Sequence, residues 1–120
     1  MDSRLKQALE FANYRQTLNN QLQELKILSQ SRLIYSKNGG SFVVDQSLIT
    51  FVKLLIDEGQ EEVVLLDKNE TPVLIDDPDG FYQDLLSRYF EVTNDYQTEY
   101  EKIRKSRSVK KIISFEEDTD

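Results

Sequence analysis

The chain has no cysteine, no histidine and no tryptophan, and its 120 residues include one methionine, two prolines and four glycines. Without cysteine there is no disulfide framework and no thiolate metal site. Without histidine as well, the commonest general base, the commonest metal ligand and the best nucleophile are missing together. No catalytic motif stands among what remains. The composition therefore points away from an enzyme, and it implies neither a cofactor nor a small-molecule substrate. Asp76, Asp77 and Asp79 have the oxygen chemistry that Mg²⁺ prefers, but turn and cap roles account for them better.

Long hydrophobic runs are missing too. The longest is four residues, Val63 to Leu66, against the roughly 20 that a membrane-spanning helix needs. The opening Met1-Asp-Ser-Arg-Leu5 has no apolar stretch, so no signal peptide is expected. These features predict a soluble, intracellular chain that does not enter a membrane.

Charge, by contrast, is plentiful. Charged residues make up 31% and hydrophobic residues 38%, a mix that fits a small core with long solvated helices better than a thick multilayer domain. The net charge of −7 disfavours wholesale binding to nucleic acid or anionic lipid. It is laid out in blocks. Residues 1–37 carry +3, residues 38–101 carry −12, residues 102–115 carry +6 with no acid, and the last five carry −4. The basic block suits an acidic protein surface, phosphates, or the acidic middle of the chain itself.

Residues 3 to about 35 hold no Pro or Gly, and Phe11, Leu18 and Leu25 recur every seven positions. Tyr14 and Leu28 follow three residues after the first and last of these. Leu5, Leu9, Ala12 and Leu22 widen the stripe, while Gln21 interrupts it. This spacing predicts one long amphipathic helix, capped by Asp2 or Ser3 and ended by Asn38-Gly39-Gly40. At roughly 1.5 Å per residue it approaches 50 Å, longer than the domain needs, so part of it is expected to meet a partner. No Lys-Ser/Thr follows the glycines, so they are not read as a phosphate loop.

Ser41 to Asp45 reads as a strand. Asp45 then caps an apolar helix from Gln46 to about Glu58, closed by Gly59 and expected to lie buried against a sheet. Glu62–Asp67 and Val73–Asp76 read as a hairpin around a polar loop ending in Pro72. Asp77 and Pro78 suit the cap and first residue of a last long helix. A calcium loop there fails, because Phe81 and Arg88 stand where its fifth and twelfth ligands belong. From Phe81 to about Lys105, Tyr82, Tyr89, Tyr96 and Ile103 repeat every seven residues. Leu86, Thr93 and Tyr100 flank them, with Leu85 and Val92 on the other side. A seam built of tyrosine suits an interface, since the ring buries area while the hydroxyl stays wet. Five acids against one base from 81 to 101 argue against a nucleic-acid platform.

The expected fold is α+β in the order α-β-α-β-β-α. A three-stranded antiparallel sheet carries a short buried helix and is flanked by two long amphipathic helices. Residues 1–108 are expected to form one domain. Residues 109–120 are expected to be a disordered tail, with Ile112, Ile113 and Phe115 able to dock on a partner. Candidate partner-binding residues are Tyr82, Tyr89, Tyr96, Tyr100 and Ile103 on the seam, and Lys102, Arg104, Lys105, Arg107, Lys110 and Lys111 in the basic block.

Leu9-Glu-Phe-Ala-Asn-Tyr-Arg15, Asn38-Gly-Gly-Ser-Phe42, Val92-Thr-Asn-Asp-Tyr96 and Arg104-Lys-Ser-Arg-Ser108 occur in that order. In them the chain resembles the small prohead core proteins of T-even-type contractile-tailed phages. The resemblance covers most of the chain and includes no catalytic signature. It implies a non-enzymatic scaffold role, partners among core and capsid proteins or further copies, and a location in the infected bacterium's cytoplasm or the immature head. It also implies removal by a prohead protease. A small acidic adaptor that binds a host or phage enzyme is the alternative, and a nucleic-acid-binding accessory protein acting through the basic block is a more distant one.

Overall fold

The structure, a computed structural model, describes the backbone of residues 2–118 and the side chains of residues 2–106. The elements run α1 (Ser3–Arg32), β1 (Ile34–Lys37), β2 (Gly40–Val43), α2 (Gln46–Asp57), β3 (Val63–Leu66), β4 (Pro72–Ile75) and α3 (Pro78–Asp118). Two compact units share them. One comprises residues 29–94, and the other comprises residues 1–28 with 95–120.

The unit of residues 29–94 is built on two antiparallel hairpins. β1 pairs with β2 in the register Ile34↔Val43 to Lys37↔Gly40, which leaves Asn38 and Gly39 as a two-residue turn. Their φ angles are +50° and +82°. A type I′ turn needs positive φ at both central positions, and Asn-Gly is the pair that tolerates it best. β3 pairs with β4 from Val63↔Ile75 to Leu66↔Pro72. Pro72, the first residue of its strand, stands where a missing N–H does least harm to the ladder.

The expected three-stranded sheet is therefore corrected to two separate two-stranded sheets in the order α-β-β-α-β-β-α. The additional strand is Ile34–Lys37, whose first two residues fall within the helix expected over residues 3 to about 35. Ile34 and Tyr35 suit a strand as well as a helix, and the pairing of Tyr35 with Phe42 across the Asn38-Gly39 turn makes the segment a hairpin. The hairpin extends one step further, since the Val44 amide donates to the Leu33 carbonyl at 2.7 Å.

The short helix needs correction as well. α2 buries only Val52 completely. Leu48, Ile49, Leu55 and Ile56 are half-buried, and Phe51 and Leu54 are exposed. A helix that covers one side of a core has a single stripe to bury, so apolar residues beyond that stripe stay outside. Its ends follow their sequence signals. The Asp45 carboxylate accepts from the Leu48 amide at 2.8 Å. At the other end Gly59, at φ +80°, donates to Ile56 O, while Gln60 N–H reaches back to Leu55 O. Those two bonds are the Schellman pattern.

The core gathers Phe42 and Val44, Val52 of α2, Val63, Leu65, Val73 and Ile75 of the second hairpin, and Phe81 and Leu85 of α3. Phe81 is its aromatic centre. Its ring lies 5.2 Å from that of Phe42, edge to face, and 6.1 Å from that of Tyr35. Arg88 closes the end of α1 by donating to the Arg32 carbonyl at 3.2 Å, one of the acceptors a helix C-terminus leaves open.

In the unit of residues 1–28 and 95–120, Asp2 caps α1 by accepting from the Arg4 amide at 3.1 Å. The Tyr14 hydroxyl donates to the Ser106 carbonyl at 3.2 Å, Leu18 is buried, and Tyr96 stacks on Tyr100. The span expected to be a disordered tail falls on residues whose side chains, from 107 on, lie outside the described residues, as do Thr119 and Asp120 altogether.

Candidate interaction surfaces

The tyrosine seam is divided between the two units. Tyr82 and Tyr89 belong to the unit of residues 29–94, whereas Tyr96, Tyr100 and Ile103 belong to the other. The side chains buried most deeply along α3 are Phe81, Leu85 and Val92, with Tyr82, Tyr89 and Tyr96 half-buried beside them. Phe81, Leu85 and Val92, which carry no polar atom in their side chains, thus fill the dry line. The tyrosines edge it and keep polar contacts. The Tyr89 hydroxyl accepts from Gln46 Nε2 at 3.0 Å, and the Lys53 ammonium stands 5.7 Å from the Tyr82 ring centroid. Tyr100 is exposed and stacked on Tyr96 with rings 19° apart.

Among the basic candidates, Lys102 pairs with Glu99 at 3.0 Å and Arg104 with Glu101 at 3.5 Å, both within their own helix and both exposed. Such pairs hold little energy in water and give way readily to a better acceptor. Lys105 is exposed. Arg107, Lys110 and Lys111 lie outside the residues with described side chains, as do Ile112, Ile113 and Phe115.

Asp67 is the best-connected carboxylate. One oxygen accepts from the Asn69 and Thr71 amides, each at 2.9 Å, and the other accepts from the Ser41 amide at 3.0 Å. The first pair shapes the five-residue loop between β3 and β4, and the third bond ties that loop to the other hairpin. Lys68 N–H to Ser41 O at 2.8 Å and Asn38 Nδ2 to Leu74 O at 2.9 Å add to the tie. The Ser41 and Thr71 amides, with smaller help from Asn69 and Lys68, hold the Asp67 carboxyl below the usual carboxylate range. Asp67 is thus fully committed to backbone donors.

A second polar cluster joins Tyr35, Asp84 and Arg88. The Tyr35 hydroxyl donates to Asp84 at 2.8 Å and the Arg88 guanidinium stands 5.9 Å from its ring centroid. Burial, followed by the Asp84 carboxylate, pushes the Tyr35 phenol above its ordinary value, which keeps it a donor. Asp77 acts as a helix cap, accepting from the Gly80 amide at 3.1 Å. No cluster of acidic side chains among the described residues is arranged to hold a metal ion, and no described helix is long and apolar enough to cross a membrane.

The surface that sequence reasoning missed is the outward face of the second hairpin. Val64, Leu66, Pro72 and Leu74 all stand exposed on it. The available signal was the unbroken Val63–Leu66 run, which served only to rule out a membrane span. Comparison with protein-family models, with curated proteins and with solved structures finds no match to this chain.

Proposed function

We propose that this chain is a non-enzymatic structural or assembly protein, a prohead core scaffold component of a contractile-tailed phage that works by protein–protein association inside the immature head. The observation that supports this most is the apolar surface left uncovered on helices and hairpin alike. Leu5, Leu9, Phe11 and Ile27 are exposed on α1, Phe51 and Leu54 on α2, and Val64, Leu66 and Leu74 on the second hairpin. Single exposed apolar residues are ordinary, but runs of them on successive elements mark surfaces that a partner covers. The block-wise charge supplies direction to such contacts, because an acidic middle and a basic end attract between copies.

Sedimentation velocity over a wide concentration range at two salt concentrations tests the reading. Concentration-driven assembly that weakens at high salt is the expected result. A sharp, salt-indifferent monomer or dimer overturns it and turns attention to the adaptor reading, in which the acidic face holds one enzyme in a stoichiometric complex.

A further inference from the structure

The strand Val63–Leu66 is apolar at every position. Alternation sends Val63 and Leu65 into the core, so a hairpin covered on one face alone calls for polar residues at 64 and 66. Strands apolar on both faces are those covered on both. Here the second face is open, with Val64 64%, Leu66 63% and Leu74 53% exposed. The register sets Val64 opposite Leu74 and Leu66 opposite Pro72, so the four side chains form one continuous patch.

Charge decides what fits it. Six exposed acids, Glu61, Glu62, Glu70, Asp76, Asp77 and Asp79, flank the hairpin along the chain, with Lys68 the one base among them. Pairing this face with the same face of another copy would set acids against acids. The occupant must be apolar and basic together. The chain contains such a segment in residues 102–115, which carry six bases, no acid, and Ile103, Val109, Ile112, Ile113 and Phe115.

We propose that the outward face of the β3–β4 hairpin takes up the basic 102–115 segment of a second copy. The proposal rests on the assembly reading above and names its contact. Face and segment are different surfaces, so the contact is heterologous: each copy offers one of each, and association stays open-ended unless the rotation between copies closes a ring.

The test uses full-length chains and sedimentation velocity, with circular dichroism confirming that each variant is folded. A face variant carries Val64→Ser and Leu74→Ser, and a segment variant carries Lys110→Glu and Lys111→Glu. Each alone is expected to associate at least about tenfold more weakly than the parent. Their equimolar mixture is expected to give a one-to-one heterodimer, because the face variant still has a working segment and the segment variant a working face. A face variant that assembles like the parent overturns the inference and leaves the assembly reading standing. Loss of association without rescue in the mixture removes the 102–115 segment as the occupant. A parent chain that stays monomeric at every concentration removes both readings.

Discussion

Replacing Phe81 with alanine tests how the core of residues 29–94 is held. Phe81 is fully buried and touches rings from both strands of the first hairpin, Tyr35 and Phe42, while it caps the apolar cluster from the first turns of α3. Truncating a buried phenylalanine costs about 3–5 kcal/mol through lost transfer energy and the cavity left behind. Two aromatic contacts worth about 0.5–1.5 kcal/mol each are lost with it and place the expected cost in the upper half of that range. With a urea dependence of about 1–3 kcal/mol/M for a chain of this size, the unfolding midpoint should fall by roughly 2 M. Phe11→Ala provides the contrast. That ring is 52% exposed on α1, and its loss should move the midpoint by the equivalent of no more than about 0.5 kcal/mol. Urea unfolding followed by far-ultraviolet circular dichroism reads both. Equal midpoints for the two alanine variants would refute the placement of Phe81 at the centre of the core. Phe81→Leu separates the terms, since it keeps most of the volume and loses the ring contacts alone.

Other expectations follow from single positions. Glu70 sits at φ +63° in the loop between β3 and β4, so Glu70→Gly should raise stability by roughly 0.5–1 kcal/mol, read as a higher thermal midpoint. Gly40 has a negative φ, but a methyl group there would overlap Cγ2 of Val73. Gly40→Ala should therefore destabilise by about 1–3 kcal/mol in chemical denaturation, as overpacking does. The Asp67 carboxyl is held low in the folded chain, so the folded state binds its proton less readily than the unfolded state does. The stability this contributes is present above the unfolded value of about 3.9 and is lost as pH falls through the folded one. Asp67→Asn should flatten the acid limb of a stability-versus-pH curve below about pH 4, and an unchanged limb would show that the three amide bonds do not set it.

Much of the fold follows from local signals with one physical meaning. Asp45 and Gly59 bracket α2 because a carboxylate at the start and a positive φ at the end have few other uses beside an apolar helical run. The polar stretch before Pro72 between two apolar runs marks the second hairpin in the same way. The first hairpin is harder to see. Ile34 and Tyr35 continue the helical spacing that precedes them, and Asn38-Gly39 can end a helix as well as turn a hairpin. Only the tertiary pairing of Tyr35 with Phe42 over Phe81 distinguishes the two. On α3 the seven-residue repeat picks out the tyrosines, while the deepest burial belongs to Phe81, Leu85 and Val92, the last two each three residues after a tyrosine of the repeat. The exposed hairpin face was legible in composition but not in meaning, because a four-residue apolar run becomes anomalous only once one of its faces is known to be uncovered.

The division of the chain into units also sets an order of events during synthesis. Residues 29–94 are contiguous and can assemble their core as soon as they have emerged from the ribosome. The other unit draws on both ends of the chain, and its Tyr14–Ser106 bond closes across 92 positions. At about 5–20 residues per second, Leu18 and its neighbours wait several seconds for the part of α3 that belongs to their unit. Throughout that interval Leu18, which the finished unit buries, stays open to water.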